Sequence, residues 1–99
     1  MDVKLNDVEW AAIGAEEQAK ITGIVSGFFK GARIVPDAGT APSAQVGPPG
    51  IVPSFVCKLA CNTAAAAAVI ACGTLTGGFA IAVCTAAVAT AREECLKQC

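Results

Sequence analysis

The sequence predicts an all-α protein in three segments. These are an N-terminal amphipathic helix (or two short helices) in residues 1–35, a Pro/Gly linker in residues 36–54, and a C-terminal antiparallel helical hairpin in residues 55–99. Three observations predict this class. Apolar residues recur at helical spacing in the first segment, all five prolines lie in the second, and all six cysteines lie in the third. We therefore expect three disulfides to cross-link the hairpin.

Composition argues against several functions. The chain has 99 residues and a formal net charge of -1, so it lacks the basic patch that a nucleic-acid partner would require. It contains no His and no Tyr, which removes the most common general base and the most common metal-binding imidazole. We expect no enzymatic activity and no cofactor. Hydrophobic residues make up 55% of the chain, but many are Ala, and a core this thin usually needs covalent cross-links.

The first segment is predicted to hold two helical stretches that Gly14 separates. Asn6 or Asp7 can cap a short helix that runs to Ile13. An apolar stripe at helical spacing then predicts a longer helix over residues 15–33, and its members are Ile21, Ile24, Val25, Phe28 and Phe29. Small residues recur every four positions from Ala15 to Gly31, which would permit close approach of another helix. This helix is either a loosely ordered amphipathic segment or a docking helix for a processing partner or the hairpin.

The second segment is predicted to be a mobile linker. Proline prevents helix and central strand, so residues 36–54 are the expected place for a processing cut. The N-terminus lacks the basic stretch and apolar run of a standard secretory signal, yet six cysteines in a short chain are typical of an exported product. We therefore expect residues 1–50 to act as a leader for a dedicated exporter or a processing protease.

The third segment has cysteines at mirror-image spacings. In the first set, Cys57, Cys61 and Cys72, successive positions are 4 and then 11 residues apart. In the second set, Cys84, Cys95 and Cys99, they are 11 and then 4 residues apart. A step of four residues turns about 40° past one full circle, and a step of eleven turns about 20° past three, so each set shares one helical face. The stretch "GTLTGG" between the sets predicts the turn of the hairpin.

The hairpin geometry favours one nested set of bridges: Cys57–Cys99, Cys61–Cys95 and Cys72–Cys84. A disulfide needs Cα atoms about 4.4–6.8 Å apart, whereas two cysteines eleven residues apart on one helix are separated by about 16 Å. The local pairs Cys57–Cys61 and Cys95–Cys99 remain an alternative that is within reach but poorly oriented.

Cystine and Ala are expected to fill the seam between the two helices, so the larger apolar side chains of the hairpin need another partner. They are Phe55, Val56, Leu59, Val69, Ile70, Leu75, Phe79, Ile81, Val83 and Val88. The N-terminal helix, another copy of the chain or a membrane would cover them. The N-terminal half either covers this surface permanently, as part of a small α-bundle, or covers it until it is removed.

Two competing interpretations carry less weight. Zinc sites commonly use C-x₂-C spacing, which the chain lacks, so we expect no metal site. The run between Lys58 and Arg92 contains no charge and could by length hold one tilted membrane span. However, weakly apolar Ala and Thr dominate that run, and Gly77 and Gly78 interrupt it.

The paired C-x₃-C elements at Cys57/Cys61 and Cys95/Cys99 resemble the α-hairpinin peptides of plant defence and the twin C-x₃-C hairpins of small mitochondrial chaperones. The whole layout is more similar to the precursor of a cysteine-rich bacteriocin: a charged helical leader, a linker and a small apolar cysteine-rich core. This resemblance implies a cytoplasmic precursor and a secreted, membrane-active antimicrobial peptide that acts on a bacterial membrane or a membrane receptor. The rival hypotheses are a helical-hairpin chaperone or assembly factor, and a structural protein that self-associates.

Overall fold

The computed structural model describes residues 1–39 and 56–97. The N-terminal half (residues 1–39) contains strand β1 (Asp2–Asn6), helix α1 (Asp7–Ala11), helix α2 (Ala15–Phe28) and strand β2 (Arg33–Asp37). The C-terminal half contains helices α3 (Val56–Cys72) and α4 (Gly78–Lys97). The described chain is mostly helical, and α3 packs against α4 as predicted. The two strands show that the all-α prediction is wrong in this respect.

The strands form a two-stranded parallel sheet. Val3 lies opposite Ile34, and Leu5 lies opposite Pro36. Parallel strands cannot be joined by a tight turn, so a crossover connection is required, and α1 and α2 provide it. Val3 and Leu5 are buried, whereas the residues on either side of Val3 are exposed, so one face of β1 lies on the core.

Because residues 33–37 form strand β2, two predicted boundaries are wrong: the end of the long helix and the start of the linker. The helix predicted over residues 15–33 ends at Phe28, and Gly31 follows with a φ of 78°, a conformation that costs glycine little. The chain then enters β2, so Pro36 and Asp37 belong to a strand and not to the linker. Proline is tolerated near the end of an edge strand because it lacks only a donor. Residues 40–54 of the predicted linker lie outside the described residues.

The helix starts follow local side-chain chemistry. The backbone N–H of Glu9 donates a hydrogen bond of 3.0 Å to Asn6 Oδ1, which confirms Asn6 as the cap of α1. The break at Gly14 is also confirmed, since α2 begins at Ala15. Before α4, Gly77 has a φ of 91°. This residue lets the chain reverse between the two helices of the hairpin at the predicted position.

One hydrophobic cluster joins the two halves of the chain. From the N-terminal half it includes Val3, Leu5, Ile13, Ile21, Val25 and Phe29. From the hairpin it includes Ala68, Leu75, Ala80, Val83, Ala87 and Val88, together with buried cysteines. Helix α2 contacts both α3 and α4, and β1 contacts α4. The N-terminal half therefore lies on the hairpin as a strand–helix–strand layer.

Candidate functional site: the disulfide-linked hairpin

The hairpin is cross-linked along its seam. Cys61 bonds to Cys95 with their Cα atoms 6.0 Å apart, and Cys72 bonds to Cys84 at a Cα separation of 5.7 Å. These are pairings that the cysteine spacing predicts. Cys57 is also disulfide-bonded, and its predicted partner, Cys99, lies outside the described residues. The bridges cross from one helix to the other, so they fix the antiparallel register of α3 and α4.

Alanine allows this close approach. Ala68, Ala87 and Ala91 are completely buried in the structure, and Ala65 is nearly so. Between the two described bridges the seam consists mainly of Ala side chains, which let the helix axes approach closely, and Val88 is the larger exception. Because Ala also has the highest intrinsic helix propensity, these residues favour the helices and their close packing at once.

The N-terminal half covers part of the apolar surface that we predicted for the hairpin. Leu75, Val83 and Val88 are buried, with at most 5% of each residue exposed, and Ile81 is half-buried. They were expected to point outward, but they belong to the cluster that the two halves share or pack against it. The physical reason is that α4 contacts β1 and α2 as well as α3, and Leu75, just before α4, belongs to the same cluster.

The rest of the predicted surface is open. Leu59 is 66% exposed and Ile70 is 77% exposed, while Phe79 and Val69 are nearly half exposed. Phe55 and the side chain of Val56 lie outside the described residues. These four large apolar side chains therefore remain exposed on the hairpin in the presence of the N-terminal half.

The apolar stripe of α2 faces the hairpin with one exception. Ile21, Val25 and Phe29 are buried, and Ile24 is partly buried against the same cluster. Phe28 is 41% exposed, which corrects the prediction for this residue. Phe29 leaves the helix with an extended backbone, φ -120° and ψ 100°, so its ring turns into the core while that of Phe28 points away.

The glycine ridge of α2 is not used for packing on the hairpin. A methyl group added at Gly23 or at Gly27 would meet no atom within 4 Å among the described residues. The close helix approach predicted from this ridge is therefore absent in the described part of the chain. The larger side chains on the opposite face of α2 make the contact instead.

An apolar groove of about 510 Å³ runs between α3 and α4. We call it the interhelical groove. Ala65, Ala66, Val69, Val88 and Ala89 line it. The helical positions of these residues place the groove beside the cystine seam.

Two polar side chains that the sequence analysis missed close one end of the interhelical groove. Arg92 is only 7% exposed, and its Nε donates a hydrogen bond to Asn62 Oδ1. A buried guanidinium needs such partners, because an isolated charge in an apolar site is costly. A signal was present in the sequence: Asn62 follows Cys61, and Arg92 lies three residues before Cys95, so the bridge brings the two side chains together.

The described residues contain no group of three or more His, Cys, Asp or Glu side chains that could hold a metal ion. Within the same part of the chain, no helix is both long enough and apolar enough to cross a membrane. The arrangement thus provides a rigid, cross-linked apolar surface, part of it covered by the N-terminal half and part of it exposed.

Comparison with known protein families, with curated proteins and with solved structures finds no match to the chain. The fold and the site define its class as a disulfide-linked helical hairpin that carries a strand–helix–strand layer on one side.

Proposed function

We propose that the chain is the precursor of a secreted, disulfide-rich antimicrobial peptide of the bacteriocin type. In this proposal the hairpin is the active part, and the N-terminal half is a leader that covers it until a protease cuts between them. The precursor is cytoplasmic, and the hairpin is released by leader-dependent export. The target is a bacterial membrane or a receptor in that membrane.

One observation carries the proposal: large apolar residues of the hairpin are buried beneath the N-terminal half. Only non-covalent contacts and the one segment that connects the two halves hold the N-terminal half on the hairpin. Leu75 and Val83 share a buried cluster with Ile21 and Val25 of that layer. Removal of the layer would expose them in addition to Leu59, Ile70 and Phe79, which are already exposed. The bridges Cys61–Cys95 and Cys72–Cys84 would keep the hairpin folded after the loss of its cover.

The dimensions of the hairpin suit a bilayer surface. Helix α4 has 20 residues and is therefore about 30 Å long, close to the thickness of the hydrocarbon core. Five charged residues lie toward the end of the hairpin away from the glycine-rich turn: Lys58, Arg92, Glu93, Glu94 and Lys97. In this arrangement the turn enters the bilayer first while the charged end stays at the interface with water.

The test compares three states of one preparation. The oxidised precursor, with a protease site placed within residues 40–54, is folded, cut and separated into its halves. Release of dye from anionic liposomes is then measured for the uncut precursor, the oxidised hairpin and the reduced hairpin. We expect release by the oxidised hairpin and much less by the other two, together with inhibition of bacterial growth.

The rival hypotheses make different predictions for the same experiment. If no state releases dye or inhibits growth, while the uncut precursor keeps unfolded client proteins in solution, the chain is a chaperone or assembly factor. If the uncut precursor instead forms stable oligomers, the chain is a structural protein that self-associates. Either result would overturn the antimicrobial proposal.

A further inference from the structure

The two-stranded sheet has two outer edges, and they are not equivalent. The backbone N–H of Arg33 donates a hydrogen bond of 3.0 Å to Met1 O, and Asp2 lies opposite Arg33 in the ladder. The N–H and C=O groups of successive strand residues point to opposite edges, so this one bond fixes the direction of the other groups in the ladder. The backbone groups of Val3 face β2, whereas those of Asp2 and Lys4 point away from it.

Proline obstructs the outer edge of β2. By the same alternation, Ile34 and Pro36 point their backbone groups away from β1. Pro36 has no N–H, so within strand β2 this edge offers only the N–H of Ile34 as a backbone donor. Proline at such a position is a common means of preventing another strand from pairing. The outer edge of β1 contains no proline, and strand addition is therefore expected there.

The outer edge of β1 has unpaired backbone groups. The sheet has two strands, and neither Asp2 nor Lys4 makes a backbone hydrogen bond on this side among the described residues. Both residues are exposed. A strand edge with unpaired N–H and C=O groups pairs readily with an extended chain, because that chain supplies the complementary groups at the same spacing. The backbone chemistry of this edge thus selects an extended peptide.

A cleft of about 660 Å³ lies between β1 and the C-terminal part of α4. Its lining consists of residues in or next to these two elements: Met1, Asp2, Lys4, Thr90, Glu94 and Lys97. None of these residues belongs to β2, so the cleft lies on the side of β1 away from β2. Its volume is in the range of sites for small ligands, and it provides room for the side chains of a few peptide residues.

The charges along this cleft favour an acidic partner. Asp2 is paired with Arg33 at 2.7 Å, and Glu94 is paired with Lys97 at 3.0 Å. Lys4 makes no ion pair within the part of the chain that the structure describes. Opposite charges directly across two strands are favourable, and like charges are unfavourable. A carboxylate opposite Lys4 is therefore preferred on an added strand.

We infer that the outer edge of β1 binds an extended segment of a partner protein as a third strand, with an acidic side chain of that segment opposite Lys4. The backbone groups of Asp2 and Lys4 provide the hydrogen bonds, and the cleft beside α4 receives side chains of the segment. The inference does not rest on the antimicrobial activity proposed for the hairpin, because β1 belongs to the N-terminal half.

The experiment titrates the oxidised full-length chain with three blocked peptides and follows the backbone amide signal of Lys4 by NMR. The Glu peptide is acetyl-Thr-Val-Glu-Val-Thr-amide, and the Lys peptide has Lys in place of Glu. The third peptide is the Glu peptide with methyl groups on the backbone nitrogens of Glu and of the Val that follows it, which removes a facing donor in either strand direction.

We expect the Glu peptide to shift the Lys4 amide signal and to slow its hydrogen exchange. The Lys peptide should bind roughly threefold more weakly or worse, because it places like charges opposite each other. The N-methylated peptide should bind about tenfold more weakly, because it loses a backbone hydrogen bond. The chain has a net charge of -1, so non-specific attraction would favour the Lys peptide instead.

A pair of charge-reversal variants locates the site. Lys4→Glu should bind the Lys peptide more tightly than the Glu peptide. Lys30→Glu reverses the charge of another exposed lysine, one that does not line the cleft, and should keep the preference of the parent chain. In the chain without peptide, the amide of Lys4 should exchange much faster than those of Val3 and Leu5, whose N–H groups face β2.

Three results would overturn the inference. Exchange of the Lys4 amide that is as slow as that of Val3 in the peptide-free chain would show that the edge is already covered. Equal affinity for the Glu and Lys peptides, or an unchanged preference in Lys4→Glu, would show that Lys4 does not face the peptide. Protection of the Lys4 amide that grows with protein concentration would mean that a second copy occupies the edge. Each of these results is independent of dye release by the separated hairpin.

Discussion

Thr76 Oγ1 donates a hydrogen bond of 3.0 Å to Glu17 Oε1, which ties the turn of the hairpin to helix α2 across most of the chain. The same carboxylate oxygen lies 3.8 Å from Lys20 Nζ. Its other oxygen, Oε2, is buried and has no hydrogen-bond partner among the residues that the structure describes. A buried acceptor without a partner has a desolvation cost, so this contact positions the N-terminal half on the hairpin more than it stabilises the fold.

A double-mutant cycle with Thr76→Val and Glu17→Ala measures this contact. We expect a coupling free energy of about 1 kcal/mol between the two positions in urea unfolding. The control pair is Glu94 and Lys97, whose charged groups are 3.0 Å apart with the Lys97 side chain 71% exposed. Its coupling should be only a few tenths of a kcal/mol. Additive effects of Thr76→Val and Glu17→Ala would show that the contact has no energetic role.

Ile21 and Phe28 provide a second comparison, because both belong to the predicted apolar stripe but only one is buried. Ile21 is completely buried and Phe28 is 41% exposed. We expect Ile21→Ala to lower the free energy of unfolding by about 2–5 kcal/mol, and Phe28→Ala by about 1 kcal/mol or less. Chemical denaturation of the oxidised chain measures both. If the two substitutions cost the same, the stripe does not face the hairpin as the structure shows.

The disulfide pattern can be mapped directly. Peptides prepared under non-reducing, acidic conditions should contain the linked pairs Cys61–Cys95 and Cys72–Cys84, as in the structure. We expect the third linked pair to be Cys57–Cys99, and no free thiol. Mass spectrometry with and without reductant provides the measurement and its own control. A linked Cys57–Cys61 peptide would contradict the nested arrangement.

Asp2 and Arg33 link the two strands at an exposed site, where Arg33 Nε donates to Asp2 Oδ1 at 2.7 Å. This hydrogen bond lowers the pKa of Asp2 from its ordinary value of 3.8, and the charge of Arg33 acts in the same direction. A lowered carboxyl pKa contributes stability that is present above the ordinary value and is lost as the pH falls through the folded-state pKa. The contribution should therefore begin to fall near pH 3.8, be lost as the pH drops through the lower folded-state pKa, and weaken in high salt.

An NMR titration of the Asp2 side-chain carboxyl carbon measures this effect. We expect the midpoint to lie below 3.8 in the parent chain and to return toward that value in Arg33→Gln. A midpoint that does not move in the variant would mean that Arg33 is not the cause.

The hairpin was predictable because its signals repeat. Six cysteines at mirror-image helical spacings indicate which face of each helix meets the other helix. A single glycine-rich stretch between them indicates the turn. The sheet was not predictable in the same way. Val3 and Leu5 are only two alternating positions, and their pairing with β2 depends on residues about thirty positions later. Nothing local distinguishes such a short strand from the extended start of a helix.

The candidate site was also predictable only in part. The bridges depend on periodicity, so spacing alone predicts them. The burial of Leu75 and Val83 depends on how β1 and α2 pack against the hairpin. The composition of the sequence does not indicate this packing. The Asn62–Arg92 contact depends on the register that the Cys61–Cys95 bridge imposes, so it could be recognised only after the pairing was known.

The contact between β1 and α4 has a consequence for biosynthesis. Strand β1 leaves the ribosome before helix α4, so α4 can pack against the apolar face of β1 only after all the residues between them have been synthesised. Contacts this distant in sequence close slowly, because a long loop must be ordered before they form. During translation Val3 and Leu5 remain accessible, and a protein that captures the nascent chain could bind this strand before the hairpin competes for it.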